Sequence, residues 1–142
     1  MESTPDTPKS AHETFMGVAH ARDGAAIAYT LLKDGGGERP RVVLIHSLAM
    51  DRSFWDRVVP ILAGEVDLLV YDCRGHGASD KPAGPYTVEQ FADDLRDLMD
   101  AVGWKSATVA GASMGGCVSL AFAAGYPEST DGLGLLDTTA YY

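Results

Sequence analysis

Four short runs, Arg41–His46 (RVVLIH), Val66–Tyr71 (VDLLVY), Ala107–Ala110 (ATVA) and Leu133–Leu136 (LGLL), are apolar with little of the alternation that a strand with one wet face shows. A strand that is apolar at successive positions has both faces covered, and helices flanking a parallel sheet are the usual cover. The stretches between the runs have helical character. Val88, Phe91, Leu95, Leu98, Met99 and Val102 recur at three- and four-residue steps, which makes one apolar face over Val88–Val102. Thr87 with Gln90 fits a capping box at its start, and Gly103 fits a stop at its end. Met114–Tyr126 is the next helix, ending before Pro127, and Phe54–Ala63 is another, interrupted by Pro60. Alternation of strand and helix predicts βαβ units, a parallel sheet and helices on both faces, so the fold class is α/β.

Upstream of these runs, Phe15–His20 and Ala25–Lys33 read as strands joined by Arg22-Asp23-Gly24. The Asp-Gly step supplies the positive φ of a tight turn, which predicts an antiparallel hairpin ahead of the parallel strands. Asp34–Pro40, with three consecutive glycines, reads as a flexible surface turn, and the polar residues 1–14 as a mobile leader. That leaves 15–142 as one partial α/β domain. The polar side of the Val88–Val102 helix carries Glu89, Asp93, Asp94, Asp97 and Asp100, and is expected to be a solvated surface rather than an acidic docking face.

Composition excludes several functions. Eleven basic against twenty acidic residues give a net charge of −9 with no basic run, so nucleic acid is not an expected partner. No apolar run approaches the ~20 residues that span a bilayer, and MESTPDTPKSAHET lacks the apolar segment of a secretory signal. Cys73 and Cys117 are too few for a disulfide framework. These features predict a soluble, reduced, cytoplasmic protein with no membrane partner.

Three loops carry the chemistry. Gly111-Ala112-Ser113-Met114-Gly115 lies between an apolar run and a helix, the setting of a nucleophile elbow. There the serine hydroxyl stands above the sheet, Gly111 and Gly115 avoid collisions with neighbouring elements, and the helix N-terminus favours an oxyanion. The competing reading is a glycine-rich turn that holds a serine by chance. His46-Ser47-Leu48-Ala49-Met50-Asp51 follows the first parallel strand, where a loop can supply a second oxyanion donor. The backbone N–H groups of Leu48 and Met114 are the candidate donors, while His46 is expected to bond backbone. Tyr71–Asp80 has neither the G-K-[ST] ending of a phosphate loop nor metal ligands converging with His76 beyond Cys73. It reads as a structural loop, with Arg74 and Asp80 as ion-pair or hydrogen-bond partners within it. No metal or organic cofactor is indicated.

HSLAMD, then YDCRGHGASDKPAGPYTVEQFADDL, then GASMGG stand in an order and spacing that resemble the α/β-hydrolase superfamily, from about Phe15 to the C-terminus. Within it the S-L-x-x-D loop, the D-x-R-G-H-G loop leading to G-P-Y-T, and S-M-G-G look most like 3-oxoadipate enol-lactonases and related bacterial esterases. The resemblance implies a cofactor-free hydrolase of small esters or lactones, with Ser113 as nucleophile and the N–H groups of Leu48 and Met114 as oxyanion donors. His46-Ser47 replaces the more usual H-G, as in the lactonase-like branch.

A serine hydroxyl needs a positioned base and a group that orients the base, and in this fold they follow as acid, then histidine. Here His12, His20, His46 and His76 all precede Ser113; after it come Glu128, Asp131 and Asp137 and no histidine. Single α/β domains commonly run to roughly 200–250 residues. The expectation is an N-terminal portion of a hydrolase, inactive alone and completed by a C-terminal segment carrying Asp and His. A processed enzyme with its second chain elsewhere is an alternative. Another is a naturally short, non-catalytic relative that binds a small ligand or a protein at its sheet edge. An open apolar edge weighs against that last reading unless a partner covers it.

Overall fold

A computed structural model of the chain describes residues 12–35 and 37–139. Residues 1–11 of the expected leader lie outside the described residues, and Glu13 and Thr14 already belong to a strand. Strands β1 (Glu13–His20) and β2 (Ala26–Lys33) form the antiparallel hairpin, with Val18 opposite Ala28. Gly24 turns it at φ 92°, and Ala21 N–H donates to Ala25 O at 2.8 Å. Strands β3 (Arg41–Ile45), β4 (Asp67–Tyr71), β5 (Ala107–Ala112) and β6 (Thr130–Leu136) complete a six-stranded sheet in the order β1-β2-β4-β3-β5-β6. β2 meets β4 antiparallel; the β4–β3, β3–β5 and β5–β6 pairs are parallel. The four apolar runs of the sequence are therefore neighbours.

Both sheet faces are covered over β3 and β4 and much of β5, which is why these strands do not alternate, whereas Leu133, Leu135 and Leu136 of the edge strand β6 are exposed. Val43, Ile45, Leu69, Tyr71 and Val109 point into one core with Leu95 and Leu98 of α2 (Val88–Ala101) and Val118 and Phe122 of α3 (Met114–Gly125). Leu44, Leu68, Val70 and Ala112 point the other way, against Trp55 and Ala63. Full burial of an aliphatic side chain such as Leu68 or Leu95 stabilises the fold by about 1.5–3 kcal/mol. The helix expected over Phe54–Ala63 is instead a 3-10 turn, Arg52–Trp55, followed by the single-turn α1 (Val59–Leu62). Pro60 does not interrupt α1 but sits in its first turn, where a missing N–H costs nothing.

The ends of α2 follow the sequence closely. Thr87 Oγ1 accepts the Gln90 N–H at 3.1 Å, although Gln90 Oε1 finds no partner, so only the threonine half of the capping box forms. Gly103 at φ 79° lets its own N–H reach Asp100 O at 3.1 Å and the Trp104 N–H reach Met99 O at 2.8 Å, a Schellman stop. Trp104 and Met99 are both buried, which seals the stop.

The acidic side of α2 is solvated at Glu89 and Asp100, as expected, but not at Asp94. Asp94 is buried and takes Arg74 Nε and Nη2 at 2.6 and 2.7 Å. Asp97 accepts Arg22 Nε at 3.1 Å, and Asp100 pairs with Arg96 at 2.8 Å. Asp94 follows Phe91 by three residues and precedes Leu98 by four, so helical geometry already placed it at the border of the apolar face. In the expected turn, Arg39 anchors the C-terminal side. Arg39 Nη2 donates to Ala63 O and Val66 O at 2.6 Å each, and the side chain pairs with Asp34 and Asp67 at 3.3 and 3.6 Å.

Arg74 joins α2 to the hairpin, since its guanidinium also reaches Asp23 at 2.8 Å. Removing one partner of a buried pair leaves a charge without compensation, at a cost of about 3–5 kcal/mol. Arg74→Met is expected to lower the unfolding free energy by that amount in urea titration, whereas Asp100→Asn, at the exposed end of the pair with Arg96, should cost under about 1 kcal/mol.

Candidate active site

Because β4, β3 and β5 run parallel, their C-terminal ends emerge on one side of the sheet. Register places Ile45 beside Tyr71 on one flank and Gly111 on the other. The segments 46–51, 72–80 and the turn at Ser113 therefore gather there, at the end of the sheet where ligands of α/β folds bind.

Ser113 is exposed at the junction of β5 and α3, with φ 54° and ψ −116°. A non-glycine residue in such a conformation costs about 1–3 kcal/mol and persists only where its surroundings hold it. Its N–H donates to Leu136 O of β6 at 3.0 Å, and its carbonyl accepts the Gly116 N–H at 2.9 Å. Ser113 is the N-cap of α3, yet its hydroxyl makes no capping bond. The strained backbone thus leaves the hydroxyl uncommitted to the helix. A Cβ on Gly111 would lie 2.0 Å from Gly115 O, and one on Gly115 would lie 2.2 Å from Ile45 O. Only glycine at both positions lets the first turn of α3 press onto the ends of β5 and β3. Met114 follows as the first residue of α3 with its side chain buried; an N–H at that position has no acceptor within the helix and faces the positive end of the dipole.

The 46–51 segment is built on a turn in which Met50 N–H donates to Ser47 O at 3.1 Å. Leu48 and Ala49 occupy its centre, so the Leu48 N–H takes no part in the turn bond. Ala49 has φ 64°, at the position where a type II turn normally takes glycine or asparagine. Nothing in the sequence announces this second strained residue. Next to it, His46 is fully buried and both ring nitrogens meet backbone. Nε2 accepts the Cys73 N–H at 3.0 Å, which puts the proton on Nδ1, donated to Ser47 O at 2.8 Å. Burial pushes its pKa below the ordinary 6.5. His46 thus binds the segment after β3 to the one after β4 as a neutral ring.

In the 72–80 segment the working residue is Asp72, which sequence reasoning passed over. One carboxylate oxygen accepts the Arg52 N–H at 2.7 Å and the other the Ala78 N–H at 2.9 Å. Gly77 at φ 52° packs so tightly on it that a Cβ would sit 2.4 Å from Asp72 Oδ2. An acid directly after an apolar strand was the available signal. Within the loop Arg74 and Asp80 bond through their carbonyls, Asp80 O accepting the Gly75 N–H at 2.8 Å, while their side chains reach outside it: Arg74 to Asp94 and Asp23, and Asp80 Oδ2 to the Ala26 N–H at 2.8 Å. Of the other histidines, His20 ends β1 and His76 bonds Arg74 O through Nδ1 at 3.0 Å. Among the described residues no group of three or more His, Cys, Asp or Glu could hold a metal ion, and no helix is long and apolar enough to cross a membrane.

Residues 40–141 match the family model described as alpha/beta hydrolase fold. The chain is 31% identical over 128 residues to 3-oxoadipate enol-lactonase 2 of Acinetobacter baylyi, covering 88% of this chain and 48% of that protein. It is 34% identical over 110 residues to the mouse serine hydrolase-like protein, covering 76% and 35%. The crystal structure of the enol-lactonase from Burkholderia xenovorans superimposes with a TM-score of 0.83 at 35% identity, over 87% of this chain and 47% of that one. The chain spans about half the length, or less, of these relatives.

The bracket formed by His46 titrates. Its unfolded pKa lies near 6.5 and its folded value lies lower, so unfolding takes up protons between the two. Stability from this group is complete above about pH 6.5 and is lost as pH falls toward the folded value. His46→Gln offers a non-titrating acceptor to Cys73. Urea midpoints measured from pH 7.5 to pH 5 are expected to fall less steeply in that variant than in the parent chain.

Proposed function

From the premise that the chain belongs to the alpha/beta hydrolase fold family, we propose that it is the nucleophile-bearing part of a serine hydrolase acting on small esters or lactones. Ser113 Oγ attacks the acyl carbonyl as its proton passes to the base. Collapse of the oxyanion then breaks the ester or lactone C–O bond, releasing the protonated alcohol or enol oxygen and leaving an acyl-enzyme. The backbone N–H groups of Leu48 and Met114 receive the oxyanion, and Gly111 and Gly115 give the turn its close approach. The observation that carries this reading is the exposed Ser113 at φ 54°, an N-cap residue whose hydroxyl does not cap its helix. A serine serving only to start a helix would adopt extended backbone and accept an N–H from the first turn. The ester or lactone class is supported by the enol-lactonase relatives, each matched over about half its length.

The base and its orienting acid come, in this proposal, from a complementing C-terminal segment carrying an Asp and a His. No histidine follows Ser113 in the sequence, and the buried His46 has both nitrogens engaged with backbone. Hydroxyl attack without a base is slow, because serine stays protonated near neutral pH.

Two measurements test the two halves of the proposal. The 142-residue chain is expected to hydrolyse a simple aryl ester no faster than buffer, with Ser113→Ala indistinguishable from it. Turnover abolished by Ser113→Ala would place a base inside this chain and refute the need for a second segment. The environment of the hydroxyl is tested by Ser113→Cys, since a thiol reports local charge directly and Cys73 and Cys117 are both buried. Alkylation against pH is expected to show a thiol pKa about one unit below the free value of about 8.5. A value at or above 8.5 speaks against oxyanion-stabilising donors at this turn.

A further inference from the structure

The stretch after β6 doubles back over the first turn of α3. Asp137 has φ 47°, a left-handed turn that brings the next two residues against the helix. Thr138 Oγ1 donates to the carbonyl oxygen of Ser113 at 2.6 Å, and Cys117 Sγ donates to Thr139 O at 3.2 Å. Thr138 lies flat on Gly116, where an added Cβ would come within 2.5 Å of its side chain. One short stretch thus reaches both backbone groups of Ser113. Leu136 O takes its N–H at 3.0 Å, and the Thr138 hydroxyl joins the Gly116 and Cys117 N–H groups, at 2.9 and 3.3 Å, on its carbonyl as the one donor from outside the helix among the described residues.

The Ser113 carbonyl and the Met114 N–H belong to one planar trans peptide, so they point in opposite directions and turn together. A donor that fixes the oxygen also fixes the direction of the N–H. We propose that Thr138 is a positioning residue: its hydroxyl locks the Ser113–Met114 peptide plane, and so aims the Met114 N–H outward at the place an oxyanion occupies. The functional meaning rests on the reading of Ser113 as nucleophile; the mechanical coupling does not. It makes the corner after β6 a determinant of the site although Thr138 itself need not touch substrate.

Amide hydrogen exchange read by mass spectrometry tests the coupling without any need for turnover. Thr138→Val removes the hydroxyl and keeps the shape; Thr138→Ser keeps the hydroxyl. The valine variant is expected to speed exchange across 113–117 by about five-fold or more while α2 stays protected, and the serine variant to exchange like the parent chain. In the Ser113→Cys background the valine change is expected to raise the thiol pKa and the serine change to leave it in place. The proposal is overturned by unchanged exchange at 113–117 in Thr138→Val or by equal loosening in the valine and serine variants. It is equally overturned by α2 exchanging as fast as 113–117, which would mark Thr138 as a residue of general stability, including the case in which the variant fails to fold. A thiol pKa at the free value in Ser113→Cys alone would instead count against the nucleophile reading, leaving the exchange result to stand by itself.

Discussion

The approach of the first turn of α3 to the ends of β3 and β5 is the contact on which the rest of the site depends. With Gly115 against Ile45 O and Gly111 against Gly115 O, there is no room for a single added carbon at either position. That closeness forces the chain to pass from strand to helix in one residue. Ser113 absorbs the whole change of direction, which is why it stands at φ 54° and why its hydroxyl is left clear of the helix it begins. The exposure of this hydroxyl is therefore a by-product of packing: it stands clear because the backbone behind it is crowded.

Around that contact the loops are held by buried polar groups rather than by apolar packing. His46, Asp72 and Arg74 each join two or three segments: the loops after β3 and β4 through His46 and Asp72, and the β4 loop, hairpin and α2 through Arg74. A buried group of this kind stabilises only when every partner is present, since an unpaired one keeps its full desolvation penalty. The bonds here are short, so the segments 46–51 and 72–80 are tied to each other at the same end of the sheet as Ser113. Ala49, strained at φ 64°, lies in the first of these segments.

The sheet has a different character at its β6 edge. Leu133, Leu135 and Leu136 are exposed there, although β6 pairs with β5 along its length. An apolar strand at a sheet edge is a surface that another strand or helix can cover. This edge runs directly into the Leu136–Thr138 corner that meets Ser113.

The order of elements, the hairpin, the helical face of α2 with its caps, and the glycine-flanked serine were legible in the sequence because each is local: periodicity, turn chemistry and steric need act within a few residues. The same local reading misjudged what depended on distant partners. Asp94 looked like one more solvated acid, and the side chains of Arg74 and Asp80 looked like partners within their own loop. Their partners lie 20 to 54 positions away, and no local pattern encodes them. So the sequence by itself determined a parallel α/β sheet with a serine turn at the C-terminal end of β5. Only the tertiary structure decided how Asp72, His46 and Arg74 tie the loops beyond β3 and β4 to their neighbours and how Thr138 meets the Ser113 carbonyl, because a hydrogen bond between segments exists only after the sheet has brought their ends together.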